Sequence, residues 1–411
     1  MYVTYRYRNL SHAIDDPASP LREYFHRRFP NVRPVQDGYR QASGPIVVEG
    51  VTASPGTVAA AFDLLLRFRL DAGYRPRVAA AAEAISAVPE HVATVSDVAA
   101  VAGAAVRPSS DGDIESAVAV RACWALALTT ELYRNPLLVL GSPPAALIRD
   151  GEFTTEALLA LAPDDVVELL GALYTRAVTA LADVLAGPHD AVALGPAFAG
   201  SRWCAADADV IVDGTLIDVK TRMGNRNKKS GVRSDSLPRN DIYQLLGYVL
   251  FDRPDEYRLT EVAVYSARYA TLHRWPLQQL LDTLAGEPVD LAAERAAVWE
   301  LLGAQDDDAG AVVEPSPSAV PAPETAADPE DVSAPAEAVV ADSEDVSALS
   351  DAVVADPEDV SAPSGAVVAD PEDASAPSEA VVTGGAEPDG RRGWQRLVQW
   401  RGRLFARRGR S

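Results

Sequence analysis

Apolar positions recur along this chain with two spacings, and the change from one to the other divides it. From the N-terminus to Leu185 the spacing is mostly three to four, the period of a helix with one buried face. Leu21 to Phe29, after Ser19-Pro20, reads as a short basic amphipathic helix. Another starts at Ser54-Pro55, with proline at its first position, and carries Phe62, Leu64, Leu65, Leu66 and Phe68. Ala79 to Ala87 is helix-prone, and Ser109-Ser110-Asp111-Gly112-Asp113 interrupts the pattern. Longer helices are predicted over Ile114 to Tyr133 and Asp164 to Leu185, the latter with Val166, Leu169, Leu170, Leu173 and Tyr174 in its apolar set.

After a turn-rich lead, Gly195 to Ser201, the spacing shortens to two. Ala206 to Val212 and Thr215 to Thr221 flank Asp213-Gly214, and Asp-Gly between alternating β-branched runs predicts a hairpin. With Asp213-Gly214 as the turn, Val212 pairs with Thr215 and Asp209 falls opposite Asp218. Alternation then gathers Asp209, Asp218 and Lys220 on one face, while Ile217 and Val219 point to a core. Pro238 opens a helix to about Asp252, which sets Gln244 and Tyr248 on one face. Strands over Thr260 to Ala267 and Ala270 to Trp275, then helices over Leu277 to Leu284 and Leu291 to Leu302, complete the folded part.

The remainder has no such pattern. Four fourteen-residue copies, beginning at Ala327, Ala341, Ala355 and Ala369, repeat acids, serine and, in most copies, proline. They predict an expanded acidic linker over 304–390. Residues 391–411 form a basic amphipathic helix in this reading, with Trp394, Leu397, Val398, Leu404 and Phe405 near one face. It suits an anionic membrane surface, nucleic acid or the acidic linker itself.

Charge changes the picture because it is unevenly placed. The net charge is −22, yet Ala304 to Gly390 holds 22 acids without a cation, and Arg391 to Ser411 holds 8 arginines without an acid. The first 303 residues therefore carry −22 + 22 − 8 = −8, which leaves nucleic-acid binding by that part open. All three lysines, Lys220, Lys228 and Lys229, lie within ten residues of a chain that otherwise uses arginine. An ammonium is a compact point charge able to approach a water or a phosphate oxygen.

Two carboxylates facing each other across a hairpin, with Cβ atoms about 5 Å apart, repel unless something offsets them. Mg²⁺ takes oxygen ligands of this kind; two solvated surface acids are the other reading. The following loop carries Arg222, Arg226, Lys228, Lys229, Arg233 and Arg239, a composition suited to phosphate contacts or to a solvated surface. Arg268 stands at the connection of the last two strands, where a substrate can pass. Cys123 and Cys204 give neither a metal spacing nor a disulfide framework, and exclude a four-cysteine iron–sulfur cluster. The five histidines stand singly, no apolar run approaches the roughly 18 residues of a membrane span, and Met1 to Arg6 is no secretory signal. A cytoplasmic protein is expected.

Asp209, Asp218-Val219-Lys220 and Gln244-Leu245-Leu246-Gly247-Tyr248 together resemble the PD-(D/E)xK nuclease superfamily, and the QxxxY helix its RecB-type branch. The resemblance spans roughly residues 190–276. It implies an α/β fold of the restriction-endonuclease type, a mixed sheet flanked by helices, over 111–303, preceded by a helical region over 1–110. It further implies Mg²⁺- or Mn²⁺-dependent hydrolysis of phosphodiester bonds, with DNA the expected substrate. Asp209 and Asp218 would hold the metal with the carbonyl of Val219, and Lys220 would act on the water. Gln244 and Tyr248 would position the site. Relatives often add an acid from a preceding helix, for which Glu131 is the candidate and Glu168 the second. The alternative is a nuclease-like fold that binds nucleic acid or a protein without cutting.

Overall fold

In the computed structural model the described residues are 5, 7–77, 88–106, 116–134, 141–185 and 187–303. The predicted helix at Ala79 to Ala87, the break at Ser109 to Asp113, the acidic repeats and the terminal helix lie outside them. Three short helices come first: α1 (Leu10–Asp15), α2 (Pro20–Arg28) and α3 (Arg33–Ala42). Then follow α4 (Pro55–Leu70), α5 (Pro89–Ala105), α6 (Ser116–Arg134), α7 (Pro143–Asp150), α8 (Thr155–Leu159), α9 (Asp164–Ala180) and α10 (Ala182–Leu185). The sequence places α4 well: Ser54 caps it by accepting the Thr57 N–H, and Pro55 occupies the first turn. The helix predicted over Asp164 to Leu185 divides at Leu181, where the backbone leaves the helical region.

The second half is β1 (Val192–Leu194), β2 (Val210–Val212), β3 (Thr215–Lys220), β4 (Asn225–Arg226), β5 (Arg233–Ser234), α11 (Arg239–Phe251), β6 (Glu261–Ser266), β7 (Thr271–Pro276), α12 (Leu277–Ala285) and α13 (Leu291–Leu301). Five strands form one mixed sheet in the order β1-β2-β3-β6-β7. Only β3 and β6 run parallel, with Lys220 beside Ser266, and α11 lies in the crossover that parallel strands need.

The hairpin has the predicted register: Val212 pairs with Thr215 and Val210 with Ile217. The paired ladder ends at Val210; Asp209 beside it forms a bend, and its side chain reaches β3 by accepting the Val219 N–H. Asp213 and Gly214 both take positive φ, 48° and 79°, as a type I′ turn requires. Asp213 steadies its own left-handed backbone by accepting the Ala191 N–H at 2.9 Å.

Helices cover both faces of the sheet. Val210, Val212, Ile217, Ala263 and Tyr265 pack against apolar residues of α4, α5, α6 and α9. Ile211, Leu216, Val262 and Val264 pack against α11, α12 and the N-terminal helices α1 to α3. Residues before 110 therefore contribute to both layers of the core. Tyr39 on α3 donates to Asp235 at 2.6 Å, a contact spanning 196 residues. None of the described helices is long and apolar enough to cross a membrane.

Candidate active site

The strands end where charge begins. Asp218 is 2% exposed and Lys220 6%, so β3 carries an acid and a base on a covered face. Burying either alone is costly, and each offsets the other: Lys220 Nζ lies 3.1 Å from Asp218 Oδ2. Lys220 also donates to Gln244 Oε1 at 2.9 Å, and Gln244 Nε2 donates to the Tyr248 hydroxyl at 2.7 Å. One turn of α11 thus extends the pair into a chain of polar groups: Asp218, Lys220, Gln244, Tyr248. Tyr248 stays protonated, because burial and then the charges of Asp218, Asp209 and Asp207 push its pKa well up.

Asp209 joins through the backbone. Its Oδ2 accepts the Val219 N–H at 2.7 Å, which ties it to β3 between Asp218 and Lys220. Although 29% of its side chain still meets solvent, its pKa is raised to about 7. Burial is the main cause and Asp63 the next; Arg67, the Val219 N–H and Lys220 pull the other way.

Asp63 and Arg67 belong to α4, one turn apart. Arg67 grips Asp63 with a fork, Nε to Oδ1 at 2.9 Å and Nη2 to Oδ2 at 2.7 Å, while Nη2 stands 4.0 Å from Asp209 Oδ1. Neither residue was among the expected site residues. The signal was present, since they interrupt the run Phe62-Asp63-Leu64-Leu65-Leu66-Arg67-Phe68: two charges inside an apolar helix stretch need something to pair with.

Comparison with protein-family models, with curated proteins and with solved structures finds no match for this chain.

The other expected residues divide into two groups. Glu131, at the end of α6, takes a hydrogen bond from Thr57 on the first turn of α4. Thr57 and Arg67 are ten residues apart, roughly 15 Å along the helix, so Glu131 is not brought to the Asp209 end. Glu168 is exposed on α9. Arg222 turns inward: it pairs with Asp241 at 2.5 Å and donates to Ser236 O at 2.7 Å. Arg268 does too, at 6% exposure. It donates to Thr221 O at 2.9 Å and Glu49 O at 2.6 Å, tying the 45–49 segment to the end of β3. Burial lowers its pKa to about 10.

Arg226, Lys228, Lys229 and Arg233 stay together. The loop is itself a small hairpin, with β4 and β5 pairing Arg226 against Arg233 and the two lysines exposed at its tip. Between that hairpin and the 45–49 segment lies a cleft of about 390 Å³ lined by Pro45, Ile46, Glu49, Arg226, Val232 and Arg233.

The donor chemistry fits a hard divalent cation. Asp209 and Asp218 offer carboxylate oxygens, and the negative charge of Asp63 is, after burial, the next cause of the raised pKa of Asp209. Among the described residues no group of three or more His, Cys, Asp or Glu is arranged to hold a metal ion. The fit therefore rests on the pair, which suffices for Mg²⁺, an ion that keeps several waters and takes one or two carboxylates.

Proposed function

We propose that this chain is a metal-dependent nuclease of restriction-endonuclease-like fold and RecB-type kinship. It would hydrolyse phosphodiester bonds, with DNA as substrate and the cytoplasm as its setting. The observation that carries this reading is the hydrogen-bonded set Asp218, Lys220, Gln244 and Tyr248, with Asp209 bound to the strand between its first two members.

Each residue has a distinct task. Asp209 and Asp218 would hold Mg²⁺ or Mn²⁺, with the carbonyl of Val219 beside them. When bound, the ion would polarise the scissile phosphate and lower the pKa of a coordinated water. Lys220 supplies a fixed positive charge next to Asp218, placed to orient the attacking water or to stabilise negative charge developing on phosphate oxygen. Gln244 positions Lys220: its carbonyl accepts from the ammonium and its amide is fixed by Tyr248. Arg226, Lys228, Lys229 and Arg233 would contact the phosphate backbone.

The test is incubation of the purified protein with labelled single- and double-stranded DNA and RNA, with Mg²⁺, Mn²⁺ or a chelator. Cleavage of DNA that stops on chelation is expected. Absence of cleavage of every substrate with both metals would overturn the reading, and retention of a substrate without cutting would identify a binding module instead.

A further inference from the structure

Arg67 places a permanent positive charge beside Asp209. It stands on a buried stretch of α4 and is held from several sides. Asp63 takes its fork, the Tyr74 hydroxyl accepts from Nη1 at 3.0 Å, and the Tyr74 ring lies 5.8 Å from the guanidinium carbon. Gly195 closes another side: it sits at φ 62°, and a Cβ there would stand 2.2 Å from Arg67 Nη1. The backbone N–H of the same Gly195 binds the carbonyl of Asp209 at 2.9 Å. The guanidinium therefore has little room to leave, and at working pH it does not lose its proton. Its 4.0 Å separation from Asp209 Oδ1 is too long for a hydrogen bond and short enough for strong attraction in an enclosed site.

The charges can be counted. With Asp209 ionised, the form a metal ligand takes, Asp63, Asp209 and Asp218 face Arg67 and Lys220, three negative against two positive. Asp207 and Arg77, nearby, pair at 3.4 Å and add no net charge. A divalent cation entering beside Asp209 would leave the site with one positive charge in excess, next to a guanidinium that cannot retreat. One phosphodiester group would restore neutrality.

We propose that Arg67 is a built-in counter-ion that keeps divalent-metal binding weak in the free protein and couples it to the arrival of a phosphodiester. The inference rests on the nuclease reading for its choice of ligands. In this role Arg67 touches neither water nor phosphate. It is a positioning residue that sets when the metal is held.

The experiment is calorimetric titration of the full chain with Mn²⁺, alone and with a phosphorothioate-linked oligonucleotide, which carries the backbone charge, or a methylphosphonate-linked one, which does not. In wild type the charged oligonucleotide should tighten Mn²⁺ binding and the neutral one should not. Arg67→Met should tighten binding to the protein alone by about tenfold, the effect expected from removing one nearby charge in a partly screened site. Asp63→Asn should weaken it, and the double variant Asp63→Asn/Arg67→Met should return near wild type. A folded Arg67→Met protein that binds Mn²⁺ no tighter than wild type overturns the proposal. If that variant does not fold, Asp63→Asn decides, and unchanged affinity there overturns it equally. Cleavage is scored separately. A wild type that cuts nothing while its Mn²⁺ affinity follows Arg67 would sink the nuclease reading and keep the counter-ion; cutting with affinity indifferent to Arg67 would do the reverse.

Discussion

Lys220 and Asp218 are neighbours on the same face of β3, 3.1 Å apart, and neither side chain is more than 7% exposed. An ammonium and a carboxylate enclosed together in this way are linked in stability as well as in chemistry. Removing one leaves the other charged in a covered place, so truncation tests here carry a folding cost.

Lys220→Ala should therefore lower stability by about 3–5 kcal/mol, the usual cost of breaking a buried pair, and should also abolish cleavage. Lys220→Met combined with Asp218→Asn should recover most of the stability and none of the activity. Denaturant unfolding of both variants, beside cleavage assays, separates the two effects. A Lys220→Met/Asp218→Asn protein that cuts would remove this pair from the mechanism.

The raised pKa of Asp209 predicts a pH dependence of unusual sign. A carboxyl group that titrates near 7 when folded and near 3.9 when unfolded binds more protons in the native state between those values. Its contribution is fully present below the unfolded value and is lost as pH rises through the folded one. Metal-free Asp209→Asn should thus gain stability over wild type at pH 8 compared with pH 5. Mn²⁺ binding to wild type below pH 7 should release protons, which calorimetry in buffers of differing ionisation enthalpy detects. Proton release unchanged by Asp209→Asn would assign the titration to another group.

Among the cations of residues 222–268, position decides role. Neutralising Arg226, Lys228 and Lys229 should weaken DNA binding and reduce its salt slope by roughly 0.7–0.9 for each phosphate no longer neutralised. Arg268→Ala should leave that slope unchanged while lowering the melting temperature, because its bonds run to Thr221 O and Glu49 O. Equal slopes for the triple variant and wild type would return the small hairpin to the role of a solvated surface.

Gly195→Ala should destabilise the protein and disturb Asp209 at a distance. The new methyl group must adopt a left-handed backbone, worth roughly 1–2 kcal/mol, and must also push the Arg67 guanidinium. Thermal melting measures the first effect and Mn²⁺ titration the second. A variant as stable as wild type would show that Arg67 has more freedom than its surroundings imply.

The hairpin was legible because its information is local. Asp213-Gly214 fixes the turn, and the turn fixes a register that leaves Asp209 just beyond the last paired residue, Val210, where its side chain reaches the Val219 N–H. Gln244 and Tyr248 were legible for a similar reason, being one helical turn apart. What the sequence did not reveal depends on packing between distant elements. Nothing near Arg222 or Arg268 says that they turn inward to Asp241 and Glu49, since an arginine reads as the same charge whichever way it points. The acid from a preceding helix was expected at Glu131, at a helix end, where charge is cheap. The charge that burdens Asp209 most comes from Asp63, in the middle of an apolar helix, where only the tertiary neighbour explains the cost. The three residues of β1 and the two of β4 are too short to show a period.

The packing of α1 to α3 against α11, α12 and α13 has a consequence for the order in which the molecule can be made. Tyr39 waits for Asp235, 196 residues later. At ~5–20 residues per second of synthesis, that wait is about 10–40 s. Throughout it Leu21, Phe25, Phe29 and Tyr39 lack the floor that buries them in the finished protein. Lys220 gains its Gln244 partner only once α11 has followed β3. A nascent chain on the ribosome is thus adhesive along its first helices until α11 and α12 supply the surface that covers them.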